Sequence, residues 1–179
     1  NNIAAGYGGG VHVVAGAYNG NFTLFHGTIT GNQVTDENSN GGGVYIHGTF
    51  TMKGGTISGN TAAGYGGGVY AAQGAGEITI TTLDADTIIT NNTADYGGGV
   101  YAAKGITISG AARIAGNTAN NNGGGVFTDH PDETTAISDT VVITGNQANG
   151  EDNASGGGGI YIGNGTVAIS GGVKITGNT

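Results

Sequence analysis

A chain of 179 residues suits one domain, but 41 glycines, a single proline and no cysteine set it apart from an ordinary globular sequence. Glycine clusters in GGG runs, which excludes collagen, and regularly spaced Val, Ile and Thr exclude a disordered Gly-rich segment. Twelve acidic against four basic residues leave a net charge of −8, a surface that repels phosphate backbones and makes nucleic acid a poor partner. No stretch reaches the ~18 apolar residues of a membrane-spanning helix, so no membrane insertion by this segment is expected. The absence of cysteine fits an exported protein.

The chain opens on N-I-A-A-G-Y-G-G-G-V from Asn2, which returns almost unchanged as N-T-A-A-G-Y-G-G-G-V from Asn60. Internal repetition decides the architecture before any local preference does. The first repeat runs through Val11 and Val13, then Phe22-Thr23-Leu24, then Ile29, to Asn32. The second carries Val44 and Ile46, Phe50-Thr51-Met52, Ile57 and Asn60; the third Val69 and Ala71, Ile78-Thr79-Ile80, Ile89 and Asn92. The fourth carries Val100 and Ala102, Ile106-Thr107-Ile108, Ile114 and Asn117. The fifth carries Val126, Thr135-Ala136-Ile137, Ile143 and Asn146; the sixth Ile160 and Ile162, Val167-Ala168-Ile169, Ile175 and Asn178.

Six repeats between Asn2 and Asn178 average about 29 residues, the period of a coil of three short strands joined by turns. The expected fold is all-β: a right-handed parallel β-helix (a β-solenoid) of three strands per coil and about six coils, with residues 1–179 as one segment. Stacked at ~4.8 Å, it would be roughly 29 Å long. Its two ends fall in nearly the same phase, with no obvious caps. That leads us to expect a stretch of a longer array, or ends that stack on other copies.

Alternation assigns the faces. The Val, Ile, Phe and Met positions above point inward, and the residues between them point out. Ile29, Ile57, Ile89, Ile114, Ile143 and Ile175 should form one aliphatic stack. The GGG runs allow positive φ and a tight bend. Asn2, Asn32, Asn60, Asn92, Asn117, Asn146 and Asn178 are expected to form a structural ladder, each tolerating the left-handed region and each amide bonding to the amide one coil away.

The run I-S-G-N-T-A followed by G-G-G-V-Y resembles the repeats of bacterial surface β-helix proteins, including the polymorphic outer-membrane protein family, which carries short G-G-A-[IL] and F-x-x-N motifs. The resemblance covers essentially the whole chain. It departs in having Ile where the family usually has Phe, and a third Gly where it has Ala. It implies an exported adhesin or passenger domain at the bacterial cell surface.

The outward residue of the first strand is His12, Tyr45, Tyr70, Tyr101, Phe127 and Tyr161 in successive coils. The last five form a candidate stripe for a glycan or a host or partner protein. It is expected to be exposed, its rings stacking on one another or presenting flat faces to sugars. Outward threonines such as Thr23, Thr51, Thr79 and Thr107 are flanked by Phe25, Lys53, Thr81 and Ser109, too mixed for an ice-binding array.

Carboxylates fall mainly in the unequal loops 32–40, 81–87, 128–134 and 146–155, where a rigid scaffold usually carries its specificity. Calcium, the one cofactor considered, would use Asp84 with Asp86, or Asp129 with Asp132 and Glu133. Neither set matches a defined loop, so no metal site is assigned. A lyase or hydrolase of the pectate-lyase kind needs grouped acids, or acids with a Lys or Arg base, on adjoining coils. Here Arg113 and Lys174 share an outward column two coils apart with Val142 between them, and the four histidines are scattered.

The sequence therefore reads as a non-catalytic segment of a secreted or surface protein, an adhesin passenger or rigid stalk. The alternatives are an extracellular filament subunit that self-associates end to end, and a polysaccharide-cleaving β-helix enzyme.

Overall fold

Short runs of β-branched residues separated by turns cannot hold together as isolated strands, and each gains its stability from the copy one coil away. The computed structural model describes residues 1–14, 20–83, 86–151 and 156–179. Among the described residues there are strands and turns but no helix, and every strand pairing is parallel, the geometry of a β-solenoid of about six turns.

The first ladder joins Val11–Val13, Val44–Ile46, Val69–Ala71, Val100–Ala102, Val126–Thr128 and Ile160–Ile162. The middle ladder joins Asn21–Leu24, Thr49–Met52, Ile78–Ile80, Thr107–Ile108, Thr134–Ile137 and Thr166–Ile169. The third joins Thr28–Thr30, Gly55–Ser58, Thr87–Thr90, Arg113–Ala115, Val142–Thr144 and Lys174–Thr176. Registers agree with the sequence alignment: Val44 pairs with Val69, Phe22 with Phe50, and Ile89 with Ile114.

A fourth, shorter ladder follows the Asn positions and goes beyond the three strands per coil read from the sequence. Ile3–Ala4 pairs with Gln33–Val34, single bridges through Thr61 continue the line, and Thr93–Tyr96, Thr118–Asn122 and Gln147–Ala148 complete it. Its small inward residues, Val34, Ala62 and Ala94, make a separate apolar cluster. The clue was the recurrent small residue two places after each Asn (Ala4, Val34, Ala62, Ala94, Ala119 and Ala148), a pattern too weakly apolar to mark a strand.

The main core is built of like-on-like columns. Ile57, Ile89, Ile114 and Ile143 are completely buried, and Phe22 and Phe50 stack with ring centroids 5.7 Å apart. Burying one such side chain contributes about 1.5–3 kcal/mol. The fifth coil departs from this chemistry. Thr128 and Thr135 both turn inward, and their buried hydroxyls share a 3.0 Å hydrogen bond that satisfies each in an apolar setting.

Of two expectations about backbone conformation, the first holds for part of each run and the second needs correction. In the three-glycine runs only the first glycine has positive φ, as at Gly66 (66°), and in the run 156–159 the first two do. The later ones are needed because coils approach closely: a Cβ on Gly68 would sit 2.5 Å from the Gly99 carbonyl oxygen. The ladder asparagines are not left-handed either. That conformation belongs to the residue before each of them from Asn32 onward, a glycine such as Gly59 or Gly116, and in the third coil Asn91 (φ 54°).

Candidate functional site

Two side-chain columns run the length of the solenoid, one polar and internal, the other aromatic and external. In the polar column each Asn Oδ1 accepts from both the backbone N–H and the Nδ2 of the preceding ladder Asn. Asn60 N and Nδ2, for example, donate to Asn92 Oδ1 at 3.0 and 2.9 Å. The same Nδ2 groups also donate back to a carbonyl, as Asn92 does to Ile57 (3.1 Å) and Asn117 to Ile89 (3.0 Å). Asn60, Asn92, Asn117 and Asn146 are fully buried. The steps from one ladder Asn to the next are 30, 28, 32, 25, 29 and 32 residues, so insertions bulge out as loops while the ladder keeps its register.

The aromatic column forms in register: His12, Tyr45, Tyr70, Tyr101, Phe127 and Tyr161 pair one to the next along the first ladder. Ring centroids lie 5.1 Å apart for Tyr45 and Tyr70, 5.3 Å for Tyr70 and Tyr101, and 4.9 Å both for Tyr101 and Phe127 and for Phe127 and Tyr161. The last three pairs are stacked within 24° of parallel. The rings therefore turn their faces towards one another along the axis and offer mainly edges and hydroxyls to solvent. Each such contact is worth about 0.5–1.5 kcal/mol.

The expectation of an exposed stripe is corrected by a second row of rings. Tyr45 and Phe127 are only 8% and 7% exposed. Tyr7, Tyr65 and Tyr96, each just before a GGG run, lean over the column, with Tyr7 4.8 Å from Tyr45, Tyr65 4.8 Å from Tyr101 and Tyr96 5.9 Å from Phe127. The recurrent Y-G-G-G at positions 7, 65 and 96 was the available signal. Asn40 and Asn122 take the place of that tyrosine in other coils.

Burial under this row raises the phenol pKa values. Tyr70 is pushed up to about 12, first by desolvation and then by neighbouring phenols. Burial and the Tyr7 phenol raise Tyr45, and burial, the Tyr70 phenol and the Asp129 carboxylate raise Tyr101. The three hydroxyls remain protonated, and so can both donate and accept, throughout the physiological range.

Beside this column lies a cleft of about 600 Å³. Tyr65, Tyr70 and Tyr101 line one side. The turn after the first-ladder strand is long in the third coil (72–77) and the fifth (129–133) and shorter in the fourth (103–106). Gln73 and the run Asp129-His130-Pro131-Asp132 thus line the cleft from the two longer turns, with Ala103 between them and Asn164 contributed by the sixth coil. Asn164 Nδ2 donates to Asp129 Oδ1 at 2.7 Å and orients the carboxylate. Loop residues that looked dispersed in the sequence are gathered here.

Of the calcium sets, Asp84 lies outside the described residues. Among the described residues no group of three or more His, Cys, Asp or Glu is placed to hold a metal ion, so Asp129, Asp132 and Glu133 do not form the site considered for them. Arg113, Val142 and Lys174 stand in register on the third ladder, and neither cation lines the cleft.

Residues 86–103, which span the third-ladder strand Thr87–Thr90, ladder residue Asn92, Tyr96 and the following GGG and strand, match the Chlamydia polymorphic membrane protein repeat. No curated protein and no solved structure matches the chain significantly. The repeat match and the parallel solenoid fit a surface β-helix repeat protein of the polymorphic membrane protein type, and they suggest a surface or secreted bacterial protein.

Proposed function

We propose that the chain is a rigid, non-catalytic solenoid segment of an adhesin that docks a glycan in the cleft beside Tyr70 and Tyr101. The observation that carries this reading is the cleft's composition. A row of phenol edges and hydroxyls faces amide and carboxylate groups from three coils, in a volume suited to a small ligand. Sugars combine apolar C–H faces with dense hydroxyls, and aromatic rings with a few convergent polar groups match both. The solenoid supplies stiffness, since the coils are tied by a continuous Asn ladder and by parallel sheets along their length.

The absence of catalysis is part of the proposal. A β-helix lyase needs a free cationic base beside its acids, whereas Arg113 and Lys174 stand on the third ladder and Lys104 is paired with Glu133. A broad glycan array, probed with the chain and with a Tyr70→Ala/Tyr101→Ala double variant, tests the docking site. Binding that the double variant loses and an Arg113→Ala control keeps supports the cleft. Equal binding by the double variant moves the site elsewhere. Release of unsaturated or reducing sugars from pectin or alginate by the chain would overturn the non-catalytic reading.

A further inference from the structure

Asp129 and Asp132 both line the cleft, and no lysine or arginine does. Lys104, on the shorter fourth-coil turn, is engaged by Glu133 at 3.6 Å. The carboxylate of Asp129 is also held in place. Its Oδ1 takes the Asn164 amide at 2.7 Å, and its turn is braced by the sixth coil through Gly163 N to Thr128 O (2.8 Å) and Thr166 N to Glu133 O (3.1 Å). A fixed carboxylate is a strong acceptor for vicinal sugar hydroxyls. It is equally a fixed repulsion for a ligand carboxylate or sulfate, on a chain whose net charge is already −8.

The two flanking turns belong to coils two steps apart, so their backbones stand about 9.6 Å apart centre to centre, with the shorter fourth-coil turn between them. The Tyr70 and Tyr101 hydroxyls on the facing side stay protonated and offer donors and acceptors to a ring seated there.

We infer that the cleft selects glycan ends without negative charge, neutral or amine-bearing, and that Asp129 is the residue that sets this selectivity. The inference rests on the reading of the cleft as a glycan site and adds a charge rule to it.

The test is an array of matched glycans in neutral, glucosamine-terminated and acidic (galacturonate- and sialate-terminated) forms. It is probed at low and high salt with the chain, with Asp129→Asn and with Asp129→Asn/Asp132→Asn. The chain should bind acidic forms at least about tenfold more weakly than their neutral counterparts, with the gap narrowing as salt screens the repulsion. The double variant should close most of that gap at any salt. Urea midpoints equal to the parent's would show that the variants are folded. Acidic forms bound as well as neutral ones would overturn the charge rule and leave glycan docking standing. No binding to any glycan would remove the glycan reading and the charge rule with it.

Discussion

The asparagine ladder and the aromatic column are both stacks that repeat at every coil, yet one is uniform and the other mixed. Asn occupies all seven ladder positions from Asn2 to Asn178, while the external column runs His12, Tyr45, Tyr70, Tyr101, Phe127, Tyr161. Burial explains the difference. An amide inside the solenoid has only the next amide and a carbonyl to satisfy it, so replacing one residue orphans groups on its neighbours. A ring on the outside loses only packing when exchanged for another ring. Variation in the outer column is therefore cheap, and recognition chemistry can settle there without endangering the coil.

The sharpest way to break the comparison is Asn92→Ala. It strips the acceptor from Asn60 N, one of the two acceptors from Asn60 Nδ2, the side-chain donor from the Ile57 carbonyl and one of the two donors to Asn117 Oδ1, all in the buried ladder. A loss of about 3–5 kcal/mol is expected in urea unfolding. A loss below about 1 kcal/mol would mean that water or repacking satisfies the orphaned groups, and that the ladder is not what fixes the register.

Next in size is Gly68→Ala, whose methyl group would meet the Gly99 carbonyl oxygen at 2.5 Å and Asn92 Nδ2 at 3.0 Å. Forcing the coils apart there should cost about 2–3 kcal/mol in thermal or urea melts, showing that the close approach demands glycine.

Tyr101→Ala removes stacking on Tyr70 and Phe127 and contact with Tyr65 from a half-buried position. About 1–2 kcal/mol of stability should go, with the far-ultraviolet spectrum unchanged. A cost as large as that of Asn92→Ala would erase the distinction between the columns.

The smallest effect concerns pH. The folded Tyr70 pKa of about 12 lies above its ordinary 10.0, so the folded chain retains a proton that the unfolded chain releases. Its contribution to stability is complete below pH 10 and is lost as the pH rises through 12. Urea midpoints should fall over that interval, and Tyr70→Phe should flatten the fall. A Tyr70→Phe curve that overlays the parent's would leave the other raised phenols, Tyr45 and Tyr101, to account for the decline.

Much of the solenoid was legible in the chain because its stabilising contacts join equivalent residues of successive repeats. Aligning the repeats is then the same operation as pairing the strands, and Ile57 opposite Ile89 or Tyr70 opposite Tyr101 follows from counting. The fourth ladder was missed because Ala62 and Ala94 carry too little apolar character to register as strand. The left-handed residue was misplaced by one position, onto the Asn and not the Gly before it. The outer column was placed in register residue for residue, but its exposure was overestimated. Nothing in the period says that Tyr65 from the neighbouring ladder side leans across Tyr101.

The sequence by itself determined the coil number, the register, the inward columns and the Asn ladder, all of them set by contacts between like positions at a fixed period. Only the tertiary structure decided which rings are covered, and that Gln73, Asp129, Asp132 and Asn164 meet beside Tyr70 and Tyr101. Those groups come from unlike positions in turns of unequal length. Their meeting depends on how far each turn projects from the stack, a distance that no repeat period encodes.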